Sequence, residues 1–226
     1  MLASLNTEQK RLLRDHLIQF VTGERKQRFD EVIANRIGHM HVVIEDVYQA
    51  HNASAVVRSA DCFGIQYLNF IESRNRYKIS GEVALGASQW VSVNRHKSAK
   101  EALQQLKDKG FKIVATTPHR HEKTLYDLDV KDKFALVFGT EKEGITSEVI
   151  GMADEFIKIP MYGFTESFNI SVCAALCMHE LSHRIRMEAE DYALPEEEKE
   201  MIYLQWLLAS IRRSDLILKN FLKQKD

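Results

Sequence analysis

Between residues 41 and 159, short runs of β-branched and aromatic residues alternate with stretches of helical apolar spacing. That alternation restricts the fold more than any other feature of the chain. The runs are residues 41–45 (HVVIE), 67–71 (YLNFI), 90–93 (WVSV), 111–115 (FKIVA), 134–138 (FALVF) and 156–159 (FIKI). Between them, apolar residues three and four apart predict helices over 52–63, 99–109 and 147–152. Parallel strands need a crossover of roughly a dozen residues, usually a helix. This rhythm therefore predicts an α/β fold: a mostly parallel sheet with helices on both faces.

Helical spacing also marks both ends. Leu5, Leu12, Leu13, Leu17 and Phe20 predict a helix over 3–21, and a second is expected over 26–36, ending before Gly38. Helices over 167–187 and 196–223 close the chain, parted by Pro195 at a favourable first-turn position. The expected organisation is an N-terminal helical arm (1–38), one α/β domain (39–190) and a C-terminal helical arm (191–226).

Charge excludes some functions. Thirty-one Lys and Arg against 32 Asp and Glu give a formal charge of −1, so a nucleic-acid partner must be held by local patches. Such patches exist: Lys10, Arg11, Arg14, Arg25, Lys26 and Arg28 at one end, and Arg212, Arg213, Lys219, Lys223 and Lys225 at the other. A third surrounds Tyr77, with Arg74, Arg76 and Lys78. Solvated faces explain each alone; arms at both ends with an Arg-Tyr loop also suit a folded RNA. The uncharged, apolar-leaning run 169–178 is far too short for a bilayer, so no membrane partner is expected. No export signal opens the chain, and the odd count of Cys62, Cys173 and Cys177 gives no disulfide framework. A cytoplasmic location is expected.

Two motifs look chemical and are set aside. Gly139-Thr-Glu-Lys-Glu-Gly-Ile-Thr146 follows a strand and opens a helix, but a triphosphate loop needs Lys where Ile145 stands, and Glu141 and Glu143 repel phosphate. His179-Glu-Leu-Ser-His183 matches a zinc-hydrolase pattern, yet it lies on the helix begun by the apolar run Val172-Cys-Ala-Ala-Leu-Cys177 and lacks a third ligand at the usual spacing. Core packing is the better reading, and no metal is expected.

Three other segments, in matching order and spacing, resemble the SPOUT class of RNA methyltransferases, in its 2′-O-ribose branch. They are Asn52-Ala-Ser-Ala-Val-Val-Arg-Ser-Ala-Asp-Cys-Phe-Gly64, Leu136-Val-Phe-Gly-Thr-Glu-Lys-Glu-Gly-Ile145 and Ile159-Pro-Met-Tyr-Gly-Phe-Thr-Glu-Ser-Phe-Asn-Ile-Ser171. Arg28-Phe-Asp-Glu-Val-Ile-Ala-Asn-Arg36 and the helix after Leu194-Pro-Glu-Glu-Glu are similar to the arms of the subfamily that methylates guanosine 18 in the D loop of tRNA. Phe168 stands where that class usually has Leu, and Lys142-Glu143 replace smaller residues.

The resemblance implies a trefoil knot in the C-terminal half of the domain, a homodimer, and S-adenosylmethionine as methyl donor. It implies tRNA as substrate. It assigns catalysis to Arg58, with Asn52 holding it and Glu141, Ser167 and Asn169 positioning the ribose or the RNA, and cofactor binding to Thr116, Gly139, Ile159 and Phe168. A guanidinium with a pKa above 12 is a poor base, so Arg58 is expected to orient phosphate and sugar at least as much as to accept a proton. A methyltransferase of ribosomal RNA is the alternative within the class; a non-catalytic RNA-binding or zinc protein is the alternative outside it.

Overall fold

The computed structural model describes residue 2 and residues 5–74, 81–117, 123–140 and 143–223. In chain order the elements begin with α1 (Thr7–Ile18), α2 (Gly23–Ala34), β1 (Ile37–Glu45), α3 (Ala50–Cys62) and β2 (Ile65–Ile71). Next come α4 (Gly81–Ala84), β3 (Ser92–His96), α5 (Ala99–Asp108), β4 (Lys112–Thr116) and β5 (Phe134–Phe138). The last are α6 (Ser147–Met152), β6 (Glu155–Ile157), α7 (Ile170–Glu188), α8 (Glu196–Ser210) and α9 (Ser214–Lys223). The chain divides into two compact units, residues 37–192 and residues 1–36 with 193–226.

In the unit 37–192 the six strands form one sheet in the order β3-β2-β1-β5-β4-β6, with every pair parallel. Successive side chains on a strand face opposite ways, which divides the core in two. Val42, Ile44, Leu136 and Phe138 pack with Val56 and Val57 of α3 and Ala174, Met178 and Leu181 of α7. Val43, Ala135 and Val137 pack with Leu103 and Leu106 of α5 and Val149 of α6. Helices therefore cover both faces, as the alternation required. Each buried aliphatic side chain contributes roughly 1.5–3 kcal/mol over its exposed state.

Strand ends differ from the sequence reading where pairing decides them. β1 begins at Ile37, whose N–H donates to Gly64 O at 2.7 Å, while the Gly38 N–H donates to Tyr192 O at 3.0 Å. Residues 87–89 make a 3₁₀ turn after Gly86 (φ 79°), and the Trp90 N–H closes it on Ala87 O at 2.9 Å. Trp90 is thereby used up, and β3 starts at Ser92, opposite Tyr67.

Past β6 the chain lies against the connection between β4 and β5. The Leu125 N–H donates to Lys158 O at 2.8 Å, and the Lys158 N–H donates to Lys123 O at 3.1 Å. Arg184 of α7 reaches the same connection, donating to Tyr126 O at 3.1 Å and Leu128 O at 2.9 Å while pairing with Glu188 at 2.8 Å.

In the unit of residues 1–36 and 193–226, α1 starts at Thr7 because Asn6 and Gln9 form a reciprocal capping box. Leu13, Leu17, Phe29 and Ile33 are buried there, as are Ile202, Leu204 and Trp206. Phe29 packs its ring 5.8 Å from Tyr203 and 5.7 Å from Trp206. Arg36 is fully buried, its guanidinium 5.3 Å from the Trp206 ring. The expected helix over 196–223 is two helices. Arg213 adopts φ 57°, the left-handed region that ends a helix, and Ser210 turns its hydroxyl back to Trp206 O at 2.8 Å. No helix among the described residues is long and apolar enough to cross a membrane.

The Arg184 contacts to the β4–β5 connection predict a test of stability. Arg184→Met should cost about 1.5–3 kcal/mol in urea unfolding, because hydrogen bonds from a charged donor are lost. Glu188→Gln, which removes only an exposed i,i+4 pair, should cost less than about 0.5 kcal/mol. Equal losses would show that the helix pair, not the contact to residues 126 and 128, carries the energy.

Candidate active site

All six strands point the same way, so their following loops gather along one edge of the sheet. Neighbouring connections diverge between β1 and β5, and such switch points form crevices outside the carboxyl ends of strands. A cleft of about 480 Å³ lies at this edge. Thr116 and Thr117 after β4, residues 138–140 and 143–145 after β5, residues 157–159 at and after β6, and the start of α7 line it. The volume lies in the range of small-molecule sites.

Backbone builds most of the wall. The Thr140 N–H donates to Gly144 O at 2.9 Å and the Gly144 N–H returns the bond to Thr140 O at 3.1 Å, closing a tight loop. A Cβ on Gly139 would overlap the backbone of Gly144 and Ile145, so the loop closes only over glycine. Gly144 itself sits at φ 70°, which glycine adopts without strain. The Thr116 hydroxyl donates to Val137 O at 3.0 Å, tying the ends of β4 and β5. Two carboxylates, Glu143 and Glu166, and one cation, Lys158, are among the lining residues.

The loop after β5 is fastened to β1 by Glu45, a residue sequence reasoning passed over. Its carboxylate accepts from the Thr146 N–H at 3.0 Å and from the Thr146 hydroxyl at 2.6 Å, and Thr146 caps α6. Glu45 is buried, and burial raises its pKa above the usual carboxylate value against the pull of the Thr146 bonds. The next residue, Asp46, takes φ 44° and accepts from the Ser73 hydroxyl at 2.7 Å and the Arg74 N–H at 2.8 Å. Two adjacent acids directly after the apolar run 42–44 were the signal for both.

Of the residues singled out from sequence, Thr116, Gly139, Ile159, Phe168 and Ser167 all line the cleft. Asn169 caps α7 with its side-chain oxygen, which accepts from Ser171 N at 2.9 Å. Its amide nitrogen donates to Oδ1 of Asn52 at 3.3 Å. Asn52, expected to hold Arg58, is buried on α3 and accepts this bond from Asn169. Arg58 is exposed six residues further along α3, about 9 Å up the helix axis and on a different face. It is not among the residues lining the cleft. Glu141, with Lys142, lies outside the described residues.

The thiols were read as core. Cys173 and Cys177 do lie on α7, and both also line the cleft, where the hydrogen bond to Cys173 and burial push the Cys177 thiol up. His179 packs edge-on to Phe63 at 5.7 Å. Among the described residues no group of three or more His, Cys, Asp or Glu is placed to hold a metal ion.

An all-parallel sheet with a backbone-walled cleft beyond its strand ends defines an α/β protein built to hold a small ligand. The chain belongs to the SpoU rRNA Methylase family, whose model matches residues 39–179. It is 39% identical over 201 residues to the tRNA (guanosine(18)-2′-O)-methyltransferase of Borreliella burgdorferi, covering 89% of this chain and 92% of that one. The enzyme of the same name from Escherichia coli is 32% identical over 186 residues, 80% of this chain and 81% of that one. The A. aeolicus TrmH/SpoU tRNA modifying enzyme superposes with a TM-score of 0.76 at 29% identity, covering 84% and 98%.

The raised pKa of Glu45 has a sign. The folded protein holds this proton more tightly than the unfolded chain. Stability therefore falls as pH rises from the ordinary carboxylate range through the raised value, then levels off. Glu45→Gln removes that decline. Melting temperatures from about pH 4 to about pH 8 should show the variant gaining on the parent as pH rises. A difference that stays constant across this range would mean that Glu45 does not titrate there.

Proposed function

We propose that the protein methylates the ribose 2′-hydroxyl of guanosine 18 in the D loop of tRNA, with S-adenosylmethionine as donor. The observation that carries this reading is the backbone-walled cleft, with Ser167 and Asn169 standing at the loop that enters α7. The names of the B. burgdorferi and E. coli relatives support the substrate. The donor is a cation, and the Glu166 carboxylate among the lining residues complements it, while Glu143, also lining, is paired with Arg74 at 2.7 Å. Thr116, Gly139, Ile159 and Phe168 hold it, and no metal ligand is required.

Bound S-adenosylmethionine supplies an electrophilic methyl on a sulfonium, which departs as a neutral thioether. The protein's task is the nucleophile. Asn52 fixes Asn169, and Asn169 with Ser167 orients the ribose beside the methyl donor. Arg58, exposed and able to present a planar fork, holds the neighbouring phosphate and sugar as the 2′-hydroxyl gives up its proton to solvent water. Glu141 positions the RNA.

The finer architecture is part of the same reading. The segment after β6 lies against residues 123–125, and Arg184 grips the carbonyls of 126 and 128; these contacts suit a chain threaded as a trefoil knot. Val172 and Leu176, one turn apart on α7, are exposed apolar side chains, which a second copy of the chain covers in a homodimer. The terminal helices serve as tRNA-binding arms. In them Arg11, Arg14, Lys26 and Arg28 are already engaged with acids of their own unit, so Arg212 and Arg213 are the better phosphate contacts.

Methyl transfer from labelled S-adenosylmethionine to bulk tRNA, with mapping of the modified nucleotide, tests the reaction; label on ribosomal RNA alone would overturn it. Arg58→Ala should lower turnover roughly 10²- to 10⁴-fold with cofactor affinity unchanged, and Arg58→Lys should fail almost as badly. A folded variant within a few-fold of parent turnover removes Arg58 from the mechanism. Deleting residues 196–226 is a poor test of the arm, because Leu204 and Trp206 are buried in their unit. Arg212→Glu with Arg213→Glu should instead weaken tRNA binding and flatten its dependence on salt, since fewer phosphates are neutralised.

A further inference from the structure

The loop between β6 and α7 divides its side chains between two directions. Met161, Glu166, Ser167 and Phe168 line the cleft, and Tyr162 and Phe164 are not among the lining residues. Those two are 96% and 109% exposed, the most exposed large hydrophobic side chains among the described residues. A single exposed aromatic needs no explanation, but two fully solvated rings two residues apart, on a loop with other residues that line a ligand cleft, call for a partner. Residues 160–169 contain no Lys or Arg, so this loop offers no cation to a phosphate backbone. What it offers is two π faces beside the place where a ribose must enter.

We propose that Tyr162 and Phe164 are a stacking platform for nucleobases of the RNA substrate, next to the nucleotide that is methylated. The proposal rests on the methyltransferase reading and extends it to a base-recognition subsite. Every base has a π face, and stacking on an aromatic side chain is available to unstacked loop bases without regard to sequence. The flat rings carry few rotatable bonds, so little conformational freedom is lost on contact. Met161 and Phe168, neighbours of the platform on either side, line the cleft, so a base stacked on the rings brings its ribose to the cleft mouth. Phosphate contacts then fall to Arg58 and the arms, and the labour is divided: cations hold the backbone, the loop holds bases.

The test compares the alanine pair, Tyr162→Ala with Phe164→Ala, against the aromatic exchange, Tyr162→Phe with Phe164→Tyr. Equilibrium binding of a tRNA transcript is measured on the full chain, with S-adenosylmethionine affinity by calorimetry, methyl transfer, and sedimentation in parallel. The alanine pair should bind tRNA roughly 5- to 100-fold more weakly and show the same rise in KM. Its kcat at saturating tRNA, its cofactor affinity and its oligomeric state should stay as in the parent. The aromatic exchange should restore binding. Unchanged tRNA affinity in the alanine pair overturns the platform. So does a loss of cofactor affinity, which would make the rings part of the cleft, or a change in sedimentation, which would assign them to a second copy of the chain. A parent protein that binds tRNA but methylates none of it overturns the methyltransferase reading, while the binding comparison still decides the platform.

Discussion

β1 and β5 lie side by side in parallel register, from Met40 opposite Phe134 to Ile44 opposite Phe138, and the chain leaves their carboxyl ends toward opposite sides of the sheet. One path runs through α3 to β2; the other runs through the loop at residues 139–146 and α6 to β6, passing β4. No side chain fills the space between two diverging connections automatically. Here Glu45 does part of it, bridging from the last residue of β1 to the cap of α6. The tight loop closed by Thr140 and Gly144 hangs from that bridge, and the cleft wall hangs from the loop. Remove the β1–β5 pairing and neither the wall nor the Asn52–Asn169 contact has a frame.

How much of this could be read from residues alone depends on whether the cause was local. The strands and crossover helices were legible because burial on a parallel sheet writes itself as apolar runs of strand length. Boundaries failed where the cause lay elsewhere in the chain. Ile37 and Gly38 join β1 through bonds to Gly64 and Tyr192, partners far away in sequence. Trp90, apolar and strand-like, is consumed by a turn that depends on the left-handed Gly86. In the last helix the break at Arg213 carries no glycine or proline to announce it, and periodicity runs through it.

The site shows the same division. The glycines and small residues of the cleft were visible as motifs, and the loops that carry them fall where strand ends require. The contact of Asn52 with Asn169 was not visible, since Asn169 stands 117 residues later in the chain. Charge counting also misled at the N-terminal end. Lys26 and Arg28 read as free cations in a list, but on a helix they lie beside Asp30 and Glu31 at spacings that bring them together. Glu45 escaped notice because its value comes from burial and from a hydroxyl 101 positions away.

One consequence concerns how the molecule is made. The sheet face built by Val42, Ile44, Leu136 and Phe138 has α7 as part of its cover, and α7 comes from residues 170–188, the end of its unit. As the chain emerges from the ribosome at roughly 5–20 residues per second, the strands are complete while the α7 part of that cover is still missing. Closing it requires contacts between residues more than a hundred positions apart, the slow kind. Until Ala174, Met178 and Leu181 arrive, the nascent sheet is a sticky surface. Synthesis itself, rather than the finished protein, is where this architecture exposes the most apolar surface.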